Sequence, residues 1–362
     1  MIAVFFGGTS CEHDISIITG LQAMNACPVK YKCVGVYIDP DGEWWAVDPK
    51  GVDSAAAVRQ KKFKKISVHI RPAEPYLYTK NKRLHKIDAA LLCMHGMRGE
   101  DGALQGMLDM CGVPYTGSDV CASAIGMNKL MSKVLFEKNG LSVLPYAPII
   151  KPDYERDATV AVKQASELGY PVIVKPCNLG SSIGISIAKT PDELYASLRV
   201  AFEWDDTVII EKALEDFIEI NCAVLGDSIT GKIEVSDTEQ PVGWKSFLTF
   251  DDKYSGDVKQ TRHKIPAEVD DEITARIKEQ AVTAFKSIGA SGIARIDFLV
   301  KGDDVFVNEI NTIPGSLSNA LFRSSMSFST LIQTLIDTAF NRESRRKALK
   351  RSYTPVTPII GK

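Results

Sequence analysis

The chain has 362 residues, of which 45% are hydrophobic and 24% are charged, and its formal net charge is -2. A chain of this length can form two or three hydrophobic cores at roughly 150 residues each. Its near-neutral charge gives no overall basic field that would recruit nucleic acid or an anionic membrane. Short basic runs at 61–65 and 341–351 are expected to be solvated faces. The composition therefore predicts a soluble multidomain protein.

The N-terminal stretch and the cysteines indicate in which compartment the protein is found. The stretch MIAVFFGGTS has no basic region ahead of its apolar residues, so it indicates a buried strand rather than a signal peptide. No uninterrupted apolar run is long enough for a transmembrane helix. The eight cysteines include no C-x-x-C pair and lie in apolar stretches, which favours buried reduced thiols over a zinc site. We expect a cytoplasmic protein.

Strands and helices alternate in the first part of the chain. IAVFFGG, KCVGVYID and DAALLCMHG are typical of strands, and helices are predicted over 16–24 and in ALQGMLDMCG. This order is characteristic of βαβ units, so it predicts a parallel sheet covered by helices and a Rossmann-like outline. A G-x-G-x-x-G fingerprint after a predicted strand is absent, which argues against dinucleotide binding.

A different pattern begins at Asn128. Helices are predicted in KLMSKVLFEKNG and ATVAVKQASELG, strands in PVIVKP and TVIIEKAL, an antiparallel pair in EINCAVLG and GKIEVSD, and a helix over 271–288. The predicted fold class is therefore mixed α/β and α+β. Its domains are an N-terminal α/β substrate domain at 1–127, a central α+β subdomain at 128–217 and a C-terminal α+β subdomain at 218–362.

The segment GDSITGK at 226–232 matches most of a phosphate-binding loop. Ile233 stands where that motif needs a Ser or Thr to reach magnesium, and no helix is predicted to follow. We interpret the segment as a hairpin turn.

Polar side chains alternate with apolar ones on two strands late in the chain. Arg295 and Asp297 share a face in IARIDFLV, and Glu309 and Asn311 share a face in VFVNEINT. Their oxygens suit Mg²⁺ that keeps some waters and binds phosphates, and Arg295 can neutralise negative charge nearby. The alternative is an exposed face with ordinary charges. The apolar neighbours of these residues favour the metal site.

The turn between these two strands is constrained by parity. Asp297 and Glu309 can share a face only if the loop has three or five residues, or if a β-bulge restores the face. A separate feature is the charged segment at 245–264, which has few apolar anchors and exceeds the usual length of a connection. We expect it to be a mobile lid that becomes ordered with nucleotide and substrate.

A strand that ends in lysine and continues into a Gly-Ser loop lies at 172–188, VIVKPCNLGSSIGISIA. Small residues let backbone N–H groups approach phosphates, and Lys175 adds a positive charge. A Gly-Ser loop alone is more often a simple hairpin. Together with VIIEKAL and the carboxylate pair, these segments resemble the ATP-grasp fold, in which two α+β subdomains hold ATP between them.

The segments GGTSCEHDIS, MHGMRGEDGALQG and KYSGD extend this resemblance along nearly the whole chain. Together they look like the D-alanine:D-alanine ligase family. The resemblance implies ATP-dependent phosphorylation of one D-alanine carboxylate and attack on the acyl phosphate by the amine of a second, for peptidoglycan precursors. It implies ATP and two Mg²⁺ ions, with Mn²⁺ able to substitute. The implied partners are D-alanine and ATP, without nucleic acid or membrane, and a homodimer is compatible with it.

The resemblance also implies roles for individual residues. Glu12 would hold the ammonium group of the first D-alanine in a hydrogen-bonded trio with Ser181 and Tyr254. Arg295 and the N–H of Gly315 would stabilise the tetrahedral oxyanion. The other implied residues are His95 and Glu100 in the substrate pocket, Lys129, Lys175, Ser182 and Lys253 at the ATP phosphates, Glu211, Lys212 and Leu214 at the adenine, Glu219 at the ribose, and Asp297, Glu309 and Asn311 at magnesium.

Three positions depart from the family pattern. Asn128 replaces a usual aspartate, which affects a helix cap, and the segment EKALEDFIE, which ends at Glu219, is one residue longer and lacks an expected glycine. Ala320 stands where the family commonly has a serine that helps bind the carboxylate of the second substrate. Ser318 or Asn319 is the candidate replacement.

Three hypotheses stay open at this point. The leading one is a ligase that joins two D-alanines, and the second is a variant ligase that uses D-serine or D-lactate as acceptor. The third is a non-catalytic ATP-binding paralogue, which would have no need of two metal sites. The resemblance implies that Tyr254 favours an amine acceptor, so we expect D-alanine rather than D-lactate.

Overall fold

The computed structural model describes residues 1–48, 66–80, 82–242 and 262–350. Lys253, Tyr254 and most of the predicted lid at 245–264 lie outside the described residues, as does the basic run at 61–65. Among the described residues, no helix combines the length and the apolar character needed to cross a membrane.

The first part of the chain, as far as it is described, begins with a strand–helix–strand unit and continues with a run of mostly short strands before its next helices. Its elements are β1 Ile2–Gly7, α1 His13–Ala26, β2 Cys33–Ile38, β3 Trp44–Val47, β4 Ile66–Ser67, β5 His69–Arg71, β6 Glu74–Thr79, β7 Lys82–Lys86, β8 Ala89–Leu92, α2 Ala103–Met110 and α3 Val120–Met127. The later elements are α4 Lys129–Lys138, β9 Tyr146–Ile150, α5 Lys151–Arg156, α6 Thr159–Leu168, β10 Val172–Pro176, β11 Ser186–Ala188, α7 Pro191–Ala201, β12 Thr207–Lys212, β13 Ile218–Asp227, β14 Lys232–Val242, β15 Arg262–Lys264, α8 Asp271–Ser287, β16 Ser291–Lys301, β17 Asp304–Asn311, a 3₁₀ segment Gly315–Phe322 and α9 Phe328–Ala348.

The first sheet has the strand order β4-β3-β2-β1-β8. β1 pairs in parallel with β2 and β8, and every residue of β1 is buried. The prediction of a parallel sheet that begins with a buried N-terminal strand is confirmed. Two antiparallel strands, β3 and β4, extend one edge, and β5-β6-β7 form a separate small sheet. The sequence analysis did not predict these short strands.

The second and third sheets are antiparallel. The order of the second is β11-β10-β12-β9, and residues of its strands form a hydrophobic core with α6 and α7. The third sheet has the order β15-β14-β13-β16-β17. Its β13 and β14 are joined at 228–231 by a tight turn, where the N–H of Ile229 donates to the Asp227 carboxylate at 2.8 Å. The interpretation of GDSITGK as a hairpin turn is confirmed.

The hairpin of β16 and β17 contains the bulge that parity allows. Only Gly302 and Asp303 separate the paired residues Lys301 and Asp304, so the turn is even in length. Asp297 pairs with Glu309, whereas Phe298 pairs with Val307, and the register shifts between these pairs. Asn308 is therefore the extra residue of a β-bulge, which restores the common face.

The C-terminal helix α9 packs against the first sheet rather than standing apart. Its buried apolar residues belong to the same core as β1. Arg342 donates to the backbone carbonyls of Gly117 at 2.5 Å and Tyr115 at 2.6 Å. Arg345 and Arg346 also pair with carboxylates of other elements. The expectation that the run at 341–351 is merely solvated is wrong for these arginines, because their partners are distant in sequence.

The cysteines are more varied than predicted. Those that are buried and free are Cys93, Cys111, Cys177 and Cys222. Cys11 and Cys121 are exposed, and a disulfide joins Cys27 to Cys33. The prediction of buried reduced thiols is therefore wrong for these four residues. Cys27 directly follows α1 and Cys33 begins β2, and the pattern of the sequence does not show that this connection brings them together.

Candidate active site

One cavity is lined by polar residues from distant parts of the chain. They include Glu12, Glu100, Lys129, Glu309 and Asn311. These side chains come from the start of α1, the loop after β8, the start of α4 and the strand β17. The structure thus brings together residues that the sequence assigned to the substrate, the nucleotide and the metal, and their individual roles stay predictions.

Glu12 is held between two loops that approach it closely. The Ser181 hydroxyl donates a hydrogen bond to Glu12 Oε1. A Cβ atom at Gly96 would lie 2.6 Å from Glu12 Oε2, and one at Gly180 would lie 3.1 Å from the same oxygen. Gly96, which also has a φ of 72°, is therefore required for this close approach, and a side chain at Gly180 would crowd the carboxylate. Tyr254, the third member of the predicted trio, lies outside the described residues.

His95 forms a directed chain of hydrogen bonds. Its Nδ1 lies 2.8 Å from the carbonyl oxygen of Ile313, which can only accept, so Nδ1 carries the proton. In a neutral ring Nε2 then accepts from the Thr19 hydroxyl at 2.8 Å. Thr19 Oγ1 in turn accepts the N–H of Ser316 at 3.0 Å. Burial lowers the pKa of His95 to about 4, so the ring is neutral at neutral pH.

Glu100 joins the loop after β8 to the end of β17. Its carboxylate accepts the N–H of Gly96 at 2.7 Å and the N–H of Ile313 at 3.1 Å. Burial, reinforced by the negative charge of Glu12, raises the pKa of Glu100 to about 8. The free site therefore holds this carboxyl protonated at neutral pH, and a cation brought next to it would favour the ionised form.

The segment that follows β17 has an unusual backbone. Ser316, Leu317 and Ser318 have φ values of 49°, 49° and 47°, in the left-handed region. Each such residue costs roughly 1–2 kcal/mol unless it is glycine, so the conformation persists only where the surroundings impose it. Here Thr19 holds the N–H of Ser316, and the bonds of His95 and Glu100 fix the preceding turn.

The predicted metal residues converge on one face of the β16–β17 hairpin. Arg295 pairs with Asn311 and Asp297 pairs with Glu309 across the two strands. Arg295 donates to both carboxylate oxygens of Asp297, at 2.6 Å from Nε and 2.8 Å from Nη2. The Asn311 amide donates to the same carboxylate at 3.1 Å. The alternation of side chains along each strand thus produces a compact polar cluster.

The same face continues across the sheet to residues that the sequence analysis missed. Asn221 of β13 pairs with Asp297 on one side and with Glu239 of β14 on the other. Its amide donates to Glu239 at 3.2 Å. These residues carry no motif, and their register against β16 cannot be derived from the sequence.

The donor set of this cluster fits magnesium. In the described part of the chain, no three His, Cys, Asp or Glu side chains gather as they would in a cage made by protein alone. Two carboxylates and one amide instead suit an ion that keeps waters and binds substrate phosphates, which is the usual arrangement for Mg²⁺. Asp297, Glu309 and Asn311 are therefore chemically suitable ligands.

Lys175 of β10 and Lys129 of α4 each lie close to a residue of β17. Lys175 Nζ lies 2.6 Å from Oε1 of Glu211 and 3.3 Å from Oδ1 of Asn308, the bulge residue. Lys129 Nζ donates to the carbonyl of Leu179 at 2.5 Å and lies 3.4 Å from Glu309. The bulge thus directs the Asn308 amide to the predicted phosphate-binding lysine.

The remaining predicted nucleotide residues within the described part of the chain lie at the end of β12, on β13 and in the loop before β11. Lys212 Nζ donates to the carbonyl of Gly169 at 2.8 Å. Leu214 follows β12 and is partly buried. Glu219 is two residues before Asn221 on β13, so the two side chains lie on the same face of that strand. Ser182 neighbours Ser181 with a φ of 59°, and Lys253 lies outside the described residues. Their roles at the nucleotide stay predictions.

Asn128 retains the helix cap at the start of α4. Its side-chain oxygen accepts the N–H of Met131 at 2.9 Å, so the change from aspartate leaves the cap in place. Its amide nitrogen also donates to Asn178 at 2.7 Å. An aspartate could not make this second bond.

Comparison with known proteins accounts for most of the chain. Residues 1–118 match the family model described as the D-ala D-ala ligase N-terminus, and residues 135–337 match the D-ala D-ala ligase C-terminus. This chain belongs to the D-alanine–D-alanine ligase family. Proteins named D-alanine–D-alanine ligase from Chloroherpeton thalassium and Geobacillus kaustophilus are each 35% identical to it, over 96% and 97% of this chain and 98% of each relative.

Solved structures of the family superpose on nearly the whole chain. The D-alanine-D-alanine ligase from Coxiella burnetii has a TM-score of 0.82 at 29% identity and covers 96% of this chain and 95% of its own. The VanG D-Ala:D-Ser ligase from Enterococcus faecalis has a TM-score of 0.79 at 28% identity, covering 93% of this chain and 98% of its own. The predicted fold class is confirmed, since these ligases have the ATP-grasp fold.

Proposed function

We propose that this protein uses ATP to join two D-alanine molecules through an acyl phosphate, as a step in making peptidoglycan precursors. The observation that carries the proposal is that one cavity contains both Glu12 and Glu100 and the pair Glu309 and Asn311. A protein that only bound nucleotide would need no carboxylate pocket beside its metal ligands. The proposed location is the cytoplasm, where ATP is available, and a homodimer is compatible with the proposal.

The first D-alanine is proposed to bind through its ammonium group at Glu12. The bond from Ser181 and the close glycines fix the position of that carboxylate, so little side-chain freedom is lost when the ligand binds. The neighbouring Glu100 becomes charged as the ammonium arrives. The D-alanine carboxylate would then lie toward β17 and the proposed metal ligands, where the γ-phosphoryl group of ATP must reach it.

Phosphoryl transfer depends on positive charge at the triphosphate. Asp297, Glu309 and Asn311 would hold two Mg²⁺ ions, with Mn²⁺ as a substitute, and the bound ions would neutralise charge on the transferring phosphoryl group. Lys129 and Lys175 would add direct contacts to the phosphates, and Lys212 would keep the adenine segment on the second sheet.

Arg295 is proposed to stabilise the tetrahedral intermediate together with the N–H of Gly315. Its guanidinium is fixed in direction by two bonds to Asp297. Gly315 directly precedes the left-handed residues Ser316, Leu317 and Ser318, so the contacts that impose their backbone also help to position its N–H. The second D-alanine would attack the acyl carbon with its neutral amine, and the tetrahedral intermediate would then break its C–O bond and release inorganic phosphate. The proton of the amine would pass to solvent or to a nearby base.

The acceptor carboxylate is proposed to bind at Ser318, with Asn319 beside it. Ser318 is 7% exposed, and its hydroxyl has no hydrogen-bond partner in the part of the chain that the structure describes. A buried hydroxyl of this kind costs free energy unless a ligand satisfies it. The Ser318 hydroxyl can therefore take the role of the serine that the family commonly has at the position of Ala320. We propose D-alanine as the acceptor.

The acceptor is tested by mass spectrometry of the products formed with ATP and Mg²⁺. We expect D-alanyl-D-alanine from D-alanine alone, and the same main product when D-lactate or D-serine is present in equal amount. Ser318→Ala should raise the KM of the second D-alanine by about tenfold, since one hydrogen bond to a charged group contributes roughly 1.5–3 kcal/mol. A dominant D-lactate product at neutral pH, or a D-serine product, would overturn the choice of acceptor.

Thr19→Val should lower kcat although this residue touches no substrate. Valine has the shape of threonine but leaves the N–H of Ser316 and Nε2 of His95 without a partner. Losing these bonds costs about 1–3 kcal/mol, so we expect a five- to hundredfold fall in kcat with a smaller change in the KM of ATP. Thr19→Ser keeps the hydroxyl and should remain close to wild type. Equal rates for the two variants would contradict the role of this chain of bonds.

Binding of the first D-alanine should release a proton near neutral pH. The pKa of Glu100 is raised to about 8 in the free site by burial and then by Glu12, and the ammonium of the ligand would lower it again. The affinity for D-alanine should therefore fall as the pH drops below about 8 and level off above it. Glu100→Gln should flatten this profile. An unchanged pH profile in the variant would show that another group titrates.

A further inference from the structure

Lys133 is buried in a place where the sequence indicates only an ordinary helical lysine. Its side chain is 1% exposed, and its Nζ lies 2.6 Å from Oε2 of Glu211, whose side chain has no exposure at all. The other oxygen of Glu211 lies 2.6 Å from Lys175. Two ammonium groups thus flank one fully buried carboxylate.

The backbone explains how the three side chains meet. Glu211 is directly opposite Ile173 on the neighbouring strand β10, and Lys175 is two residues further along the same face. Lys133 comes from α4, one helical turn after Lys129, so both lysines project from the same side of that helix. A single helix therefore presents one lysine to the cavity and a second to Glu211.

The charges of this cluster do not cancel. Glu211 supplies one negative charge against the two positive charges of Lys133 and Lys175. Burial opposes ionisation of Glu211, but Lys133 and Lys175 together hold its pKa below the ordinary value. Burial also lowers the pKa of Lys175, and the charge of Glu211 opposes that change. Without Lys133, Lys175 and Glu211 would form a neutral pair.

We infer that Lys133 is a positioning residue of the nucleotide site, which neutralises Glu211 so that the positive charge of Lys175 remains for the ATP phosphates. Lys133 also fixes the carboxylate that holds the Lys175 ammonium at the end of β10. This inference rests on the proposed function, in which Lys175 contacts those phosphates. If Lys133 served only to stabilise the fold, its substitution would lower the affinities for ATP and adenosine equally. In the role inferred here, its substitution lowers only the affinity for a ligand that carries phosphates.

The test compares the affinities of ATP and adenosine in the full-length protein with Mg²⁺. Lys133→Met should weaken ATP by about tenfold or more, because a neutral pair replaces a net charge in a poorly screened site. Adenosine, which has no phosphate, should bind within about twofold of wild type. Glu211→Gln added to Lys133→Met removes the charge that neutralises Lys175, so the ratio of ATP affinity to adenosine affinity should return to about the wild-type value, whatever the substitution does to the adenine contact. Lys138→Met is the matched control, since it removes an exposed lysine from the same helix.

Three results would overturn the inference: unchanged ATP affinity in Lys133→Met, equal losses for ATP and adenosine, or no recovery in the double variant. If Lys133→Met does not fold, the double variant decides alone, because its cluster carries the same net charge as the wild-type cluster. A wild-type ratio of ATP affinity to adenosine affinity then supports the inference, and a loss of ATP affinity with adenosine binding intact overturns it. Failure of the wild-type protein to bind ATP would contradict the proposed function instead.

Discussion

Asp297→Asn is expected to lower the rate of ADP formation by about 10²–10³-fold at saturating ATP and D-alanine. Asp297 is the centre of the polar cluster, since it pairs with Glu309 across the hairpin and accepts hydrogen bonds from Arg295 and Asn311. Asparagine has nearly the same shape but lacks the negative charge that attracts a divalent cation. It also leaves Arg295 without its counter-ion. The substitution should therefore weaken both charge stabilisation and the alignment of the guanidinium.

The matched control is Asp304→Asn at the other end of the same hairpin. Asp304 is exposed beside the turn, so the change removes one carboxylate from the same strand pair without altering the cluster. The two variants are compared by coupled assay of ADP release over a range of Mg²⁺ concentrations. We expect Asp297→Asn to need more Mg²⁺ for half-maximal rate and Asp304→Asn to match wild type. A variant of Asp297 with normal turnover and an unchanged Mg²⁺ requirement would exclude this residue as a metal ligand.

Glu12→Gln is expected to raise the KM of the first D-alanine by about a hundredfold while the KM of ATP changes little. A glutamine oxygen can still accept the hydrogen bond from Ser181, and its size still fits between Gly96 and Gly180. The variant therefore isolates the loss of charge. A charge-assisted hydrogen bond to an ammonium group contributes roughly 1.5–3 kcal/mol, and the ionic attraction in a partly buried site adds to it.

The control for Glu12 is a second carboxylate on the same helix. Asp14 lies in the first turn of α1 and is exposed, so Asp14→Asn tests whether charge at the helix start is enough to explain the effect. We expect Asp14→Asn to behave as wild type. The assignment of Glu12 fails if both variants change the KM of D-alanine equally, or if Glu12→Gln affects ATP alone.

The sequence predicted those features of the site that depend on strand periodicity. Because side chains alternate with a period of two, Arg295, Asp297, Glu309 and Asn311 could be placed on common faces without coordinates. Parity then limited the hairpin to an odd loop or a bulge. It could not choose between them, because Asn308 is similar to any other strand residue until its partner is known.

The sequence did not predict contacts between distant segments. Thr19 stands in a largely apolar helix, and its partners His95 and Ser316 follow 76 and 297 residues later. Lys133 has the spacing of a solvated helical lysine, and nothing in its neighbours shows that Glu211 is buried beside it. Such pairs depend on how separate elements pack. Local patterns carry no information on that packing, so these residues emerge only from the structure.

The most direct test of the proposed reaction uses D-alanine labelled with ¹⁸O in both carboxylate oxygens. Wild-type protein is incubated with the labelled amino acid, ATP and Mg²⁺, and the dipeptide and the released phosphate are analysed by mass spectrometry. If the carboxylate is first phosphorylated, each peptide bond formed should yield one ADP and one phosphate that carries a single ¹⁸O atom. Unlabelled phosphate, formation of AMP and pyrophosphate, or hydrolysis of ATP without dipeptide would contradict the account.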